Sequence, residues 1–300
     1  MSVMDEIRRR CAGVAGRARH VHIREERIAP YAASLPQPVR ASSAPAPADR
    51  ERECAFWLTL DAINFGSGWF PTLRKAPGRS GYFTIHDGLR RRFEHAGPWT
   101  AGELAVLKAG ELADTLGQDP RHELIGLFAT SLGDLGARLL AGYEGRFAGP
   151  VGDSAEELVQ TLAGWPCFAD TSTYGGEPVP FLKRAQIAAA DLARAGAARF
   201  PDLGELTMFA DNLVPHVLRL DGVLEFEPWL VERIERQELI EHGSAPEVEI
   251  RACAVHAVEL LLASSPVSRT AAELDQLLWE RGGRPEYKAR PRHRSRCTAY

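Results

Sequence analysis

One local signal recurs along the chain and constrains the fold more than any other. A Ser or Thr followed three residues later by Glu stands at Thr100–Glu103, Ser154–Glu157, Ser244–Glu247 and Thr270–Glu273. At that spacing the hydroxyl and the carboxylate can each accept a backbone N–H left unpaired at a helix start. Apolar residues then recur with helical period. Leu158, Val159 and Leu162 follow the second pattern, and Val248, Ala252, Val255, Val258 and Leu262 follow the third. The run opened by Thr100 extends to about Gly117, and Gly282 suits the end of the fourth. Asp119-Pro120 is expected to open a further helix, with Pro in its first turn. A chain punctuated this often by helix starts reads as a mainly α protein.

Strand signals are few. Tyr82-Phe-Thr-Ile85 reads as a short strand. Residues 166–182 hold Gly175-Gly176 between two short apolar pieces and read as a hairpin, weakened by Pro178 and Pro180. Residues 1–34 suggest one or two amphipathic helices, and residues 35–50 are a Pro/Ala/Ser-rich linker or surface loop. The expected organisation is an N-terminal helical segment with its loop over 1–50, then one helical domain over 51–300.

Composition removes several function classes. The net charge is -4, which argues against broad electrostatic binding of nucleic acid or anionic membrane. Cations for an anionic ligand would have to be local. Cys11, Cys54, Cys167, Cys253 and Cys297 form no CxxC pair and no metal-ligand spacing, so reduced thiols in a cytoplasmic protein are expected. No membrane span, metal or cofactor is expected. GxxxxGK[ST], GxGxxG, GxSxG and HExxH are all absent from the sequence.

Several segments carry candidate chemistry. In WLTLDAINFGSGWF, residues 57–70, Asp61 and Asn64 share a helix face, and Trp69 follows two glycines that break the helix. Such aromatics can wall a planar ligand or simply fill the core. In PCFADTSTYGG, residues 166–176, Phe168, Asp170 and Tyr174 occupy an irregular segment, as ligand contacts or as an ordinary turn. FLKRAQIAAADL, residues 181–192, sets Lys183 and Arg184 in a first helical turn, where the helix dipole disfavours cations. A bound anion or a salt bridge would account for them. In LTMFADNLVPHVL, Phe209, Asp211 and Asn212 precede Pro215, so Asp211 falls at a helix N-terminus as a cap or an outward-facing carboxylate. The terminal HRSRCTAY is basic, with His293 and Arg294 at its start, and reads as a solvated tail or a binding element. Glu247 reads as a capping acid, and Glu249 with Arg251 as parts of internal salt bridges.

Taken together, LDAINFGSGWF, FLKRAQIAAADL, LTMFADNLVPHVL, APEVEIRACAVHAVELL and HRSRCTAY occur in an order that resembles the queuosine salvage protein family across most of residues 55–300. The resemblance implies a single helical domain related to helix-hairpin-helix DNA glycosylases. It implies a hydrolase that cleaves the N-glycosidic bond of queuosine 5'-monophosphate to release queuine, with no cofactor. Asp211 is then the expected catalytic carboxylate, stabilising an oxocarbenium-like transition state or activating water. Asp61, Asp170 and Asn212 are candidates for the base edge or the cationic amine of queuine. Phe168, Phe209, Trp69 and Tyr174 are candidates for stacking on the base. Lys183, Arg184, His293 and Arg294 are candidates for the 5'-phosphate. Two other readings are a base glycosylase acting on nucleic acid, which would use the same Asp, and a non-catalytic queuine- or queuosine-binding protein. The small nucleotide is the expected partner, without a stable nucleic-acid complex.

Overall fold

A computed structural model describes residues 1–37 and 45–300. The middle of the Pro/Ala/Ser-rich stretch, residues 38–44, lies outside the described residues. Fourteen α-helices and two pairs of short strands are found among them. In chain order they are α1 (Val3–Ala15), β1 (Val21–Ile23), α2 (Glu25–Ser34), α3 (Arg50–Ala62), α4 (Gly81–Ala96), α5 (Ala101–Ala105), α6 (Ala109–Leu116) and α7 (Glu123–Tyr143). Then come α8 (Ala155–Ala163), β2 (Thr171–Tyr174), β3 (Glu177–Pro180), α9 (Lys183–Arg194), α10 (Val214–Leu220), β4 (Leu224–Phe226), α11 (Pro228–Glu235), α12 (Ala245–Ala263), α13 (Ala271–Gly282) and α14 (Pro285–Lys288). The mainly helical fold expected from the capping patterns is the one observed.

Helix α12 is the axis of the core. It is buried on most of its faces, from Val248 through Leu261. Packed against it are α1, α2, α10, α13 and the β1–β4 pair. The N-terminal helices therefore share the core of the later ones: Met4, Ile7, Cys11 and Val14 lie in the same apolar cluster as Val248 and Val255. β1 pairs antiparallel with β4, Val21 opposite Phe226, which ties the N-terminus to the segment after α10. β2 and β3 form the expected hairpin, with Thr171 opposite Pro180 and Tyr174 opposite Glu177. Gly175 and Gly176 make its turn at φ 58° and 82°, a left-handed geometry that glycine adopts without steric cost.

The four capping patterns resolve differently. Thr100–Glu103 and Thr270–Glu273 form full reciprocal capping boxes. Ser154 caps Glu157 N–H, but the N–H groups of Ala155 and Glu156 go to Asp202, at 2.8 and 3.0 Å. Ser244 makes no side-chain cap. Glu247 instead accepts from Gly243 N–H at 2.9 Å and faces His242 and Arg251, so its reading as a reciprocal cap is corrected.

Two further expectations are corrected. Tyr82–Ile85 lies inside α4, not a strand. Ser80 caps Phe83 N–H there, and Ile85, Leu89 and Phe93 bury one helical face. Asp119-Pro120 forms a turn, Asp119 accepting from Arg121 N–H, and α7 begins later behind His122. Finally, α7 is long and apolar enough to cross a membrane by length and composition. In this fold its apolar stripe, Leu124, Ile125, Phe128, Leu132, Leu135 and Leu139, packs inside the domain against α3, α5 and α6.

Candidate active site

A cavity of about 1100 Å³ opens between the N-terminal part of α4, helices α9 and α13, and the C-terminal segment that follows α14. The segment Phe209–Leu213, just ahead of α10, runs along its wall. Residues 206–213 form neither helix nor strand, so their backbone groups need outside partners. Phe209 N–H donates to Asp275 Oδ1 at 3.0 Å. The Ala210 carbonyl accepts from Arg251 Nε at 2.9 Å. Asn212 Nδ2 donates to the carbonyl of His293 at 2.9 Å. Three elements, α13, α12 and the C-terminal segment, thereby clamp the residues on either side of Asp211.

Asp211 itself is half-buried. Its Oδ1 accepts from the N–H groups of Leu213 (2.8 Å) and Val214 (3.1 Å), a helix-capping geometry made possible by Pro215, which needs no N–H partner. Its Oδ2 takes no hydrogen bond among the described residues. One oxygen thus fixes the carboxylate and the other is available to a ligand in the cavity.

Lys183 also lines the cavity. Its backbone N–H is capped by Asp170 Oδ2 at 2.9 Å, and its Nζ donates to the carbonyl of Asn64 at 2.9 Å. Burial lowers its ammonium below the ordinary value, against the attraction of Asp211 and Asp61. Asp191, on the same helix, lines the cavity, and burial pushes it up to about 6 although Arg194 lies 2.7 Å away. Asp275 lines the cavity as well. Burial and then the charge of Asp211 push its carboxyl well above the usual range.

Of the residues singled out from sequence, Asn64, Phe209, Asp211, Asn212, Lys183 and Arg294 line the cavity. The others do not. Asp61 is fully buried behind Asn64, which donates to it at 3.3 Å. Phe168 is core, beside Trp165 and the Arg184 guanidinium. Asp170 forms a sealed ion pair with Arg251 at 2.7 Å. Arg184 spends its guanidinium on the carbonyls of Ala62, Cys167 and Ala299, so it holds chain segments and not an anion. Trp69 is buried, with Nε1 donating to Glu123 at 2.7 Å. Tyr174 hydrogen-bonds Glu249 at 2.8 Å, on the hairpin away from the cavity. His293 is buried and pushed down to about 3 by burial, and a neutral imidazole offers no charge to a phosphate. The C-terminal segment is not a solvated tail: Ser295, Cys297, Ala299 and Tyr300 are buried, and Tyr300 reaches the cavity wall.

Sequence reasoning missed Tyr82, Asp275, Trp279 and Arg292 in the cavity wall. Tyr82 was hidden by the strand reading of its segment. Asp275 left a signal, since it falls on the buried stripe of α13 with Ala271, Leu274 and Leu278. Arg292 is half-buried and makes no hydrogen bond or ion pair among the described residues. No group of three or more His, Cys, Asp or Glu side chains suited to a metal ion occurs among them.

The wall therefore joins an open carboxylate, a carboxyl shifted toward its neutral form, aromatic rings and an unpartnered arginine. That set matches the needs of a sugar–base bond, with an oxocarbenium centre, a planar leaving group and an anionic end. Comparison with known proteins agrees. The model of the queuosine salvage protein family matches residues 44–300. A queuosine 5'-phosphate N-glycosylase/hydrolase of Sphaerobacter thermophilus is 37% identical over 266 residues, 84% of this chain and 82% of that protein. Proteins of the same name from Mus musculus and Bos taurus are 30% and 31% identical, each over 74% of this chain and 72% of the relative. The chain belongs to the queuosine salvage protein family.

Proposed function

We propose that this chain hydrolyses the N-glycosidic bond of queuosine 5'-monophosphate, releasing queuine and ribose 5-phosphate. The observation that carries the reading is Asp211. One oxygen is fixed by two backbone N–H groups and the other is open to the cavity. Such a carboxylate lies ready to face the sugar. It stabilises the positive charge that grows at the anomeric carbon as the C–N bond breaks, and takes the proton of the attacking water. Phe209, Tyr82 and Trp279 supply aromatic surface for the base. Arg292 is the cation for the 5'-phosphate, because it lines the same cavity and has no protein partner among the described residues. Asp191 is the acid for the amine of the queuine side chain.

The reaction is taken to run on the free nucleotide in the cytoplasm, with no cofactor, no membrane and no stable nucleic-acid complex. A net charge of -4 and five free, buried cysteines support this. The test supplies queuosine 5'-monophosphate, queuosine and a queuosine-containing tRNA separately and follows free queuine by chromatography. Release from the nucleotide, with little from the tRNA, is expected. Release from the tRNA alone, or tight binding of the nucleotide with no turnover, contradicts the proposal.

A further inference from the structure

Resting on that proposed reaction, we infer that Asp275 works in the cavity as a neutral carboxylic acid that donates a hydrogen bond to the departing base while Asp211 carries the negative charge.

The geometry points this way. Asp275 is 5% exposed and lines the cavity. Its Oδ1 is occupied by Phe209 N–H at 3.0 Å. Its Oδ2 has no hydrogen-bond partner among the described residues, and no ion pair reaches the side chain. A buried carboxylate without a cation is costly, and protonation relieves that cost. The Phe209 hydrogen bond also brings Asp275 within two residues of Asp211 in the same wall. Two carboxyl groups held close in a low-dielectric site divide into one charged and one neutral member. Asp211 is the more exposed and has two N–H donors, so it keeps the charge.

The other groups around Asp275 do not reverse this. The Phe209 N–H, and Lys183 and Arg194 on α9, favour its ionised form, yet burial and Asp211 outweigh them. His216 on α10 is pushed down to about 4 by burial and is neutral. Tyr287 on α14 and Arg292 lie elsewhere in the wall, and α12 places no titratable group in it.

A base with carbon at position 7 cannot be protonated there, so its departure is helped by donors at its remaining ring nitrogens and carbonyl. The electron pair of the C–N bond leaves with the base, and the water oxygen bonds to the anomeric carbon. Asp211 takes the water proton, which reaches the base through solvent. Asp275 keeps its own proton throughout.

Asn is a non-titrating donor that still offers an acceptor to Phe209 N–H, whereas Ala offers neither. Asp275→Asn is therefore expected to keep kcat within about tenfold of the unsubstituted enzyme and to lose the fall in rate at alkaline pH. Asp275→Ala is expected to lose about 100-fold or more in kcat. Equal losses in both variants, or an alkaline limb unchanged in Asp275→Asn, overturns the inference. Carboxyl-carbon NMR gives a readout independent of turnover. It should show one cavity carboxyl titrating well above the usual range and missing from the spectrum of Asp275→Asn. An ordinary titration for that carboxyl overturns the inference even if the substrate proves different. Normal titration-independent melting of both variants shows that folding is retained.

Discussion

Arg251 Nε donates to the carbonyl of Ala210 at 2.9 Å, and Ala210 is the residue before Asp211. The same guanidinium pairs with Asp170 at 2.7 Å, and Asp170 caps the N–H of Lys183 at 2.9 Å. Two cavity residues picked out from sequence, Asp211 and Lys183, are thus set by one buried charge pair that never touches the cavity.

Breaking that pair should be severe. Arg251→Met leaves Asp170 buried with the Lys183 N–H but no countercharge. The expected cost is about 3–5 kcal/mol of folding stability. Urea unfolding followed by circular dichroism measures it, and a loss below about 1 kcal/mol would remove the pair from the account.

Arg292 separates phosphate recognition from chemistry. Arg292→Gln removes charged hydrogen bonds worth about 1.5–3 kcal/mol, a ~10- to 100-fold rise in KM for the 5'-nucleotide. The nucleoside should be turned over with nearly unchanged KM. Steady-state kinetics on both substrates checks this, and parallel losses on the two would place the phosphate elsewhere.

The fold was legible where local chemistry decides it. The capping residues, the Gly175-Gly176 turn and the apolar stripe of α12 all declare themselves within a few positions. Tyr82–Ile85 did not, because four residues of high strand propensity are outweighed by the Ser80 cap and by burial of Ile85, Leu89 and Phe93. The site was legible chiefly around FADNLVP, with Lys183 of FLKRAQ and Arg294 of the C-terminal segment beside it. Arg184 looked like a ligand group because the helix dipole disfavours a cation in a first turn, and Asp170 because it stands in an irregular segment, yet their partners are carbonyls and an arginine brought in from 17 to 122 residues away. Sequence carries no trace of such long-range pairing. Asp275 and Arg292 reach the cavity only through tertiary packing of α13 and the C-terminal segment.

Two glycines in α7 should respond oppositely to the same change. A Cβ on Gly136 would lie 2.4 Å from the Ala101 carbonyl oxygen and 2.5 Å from Ala105 N, so α5 would have to move. Gly136→Ala is expected to cost about 1–3 kcal/mol. A Cβ on Gly126 meets nothing within 4 Å, and Gly126→Ala should stabilise by about 0.5–1 kcal/mol. Thermal melting of the two variants compares them directly, and shifts of the same sign would contradict the packing of α7 on α5.

His242 provides a pH signature. The neighbouring Cys297 and the Glu247 carboxylate, 3.3 Å away, raise its imidazole to about 10. A folded value above the unfolded one, ~6.5, means that the protonated form favours folding. That contribution is complete below pH ~6.5 and is lost as pH rises toward 10. The stability gap between the natural chain and His242→Gln should therefore narrow over this window. Denaturation midpoints across it test the sign, and a gap that widens with pH would contradict the pairing.

The central claim is that Asp211 performs the chemistry and not merely the cap of α10. Asn at this position keeps a side-chain oxygen for the N–H groups of Leu213 and Val214, so the fold should persist. Single-turnover release of queuine from queuosine 5'-monophosphate by Asp211→Asn is the most direct measurement, with nucleotide affinity determined alongside by calorimetry. The expected result is a rate lower by about 100- to 10,000-fold with binding retained. A rate within a few fold of the unsubstituted enzyme, in a folded protein that binds the nucleotide, would contradict it.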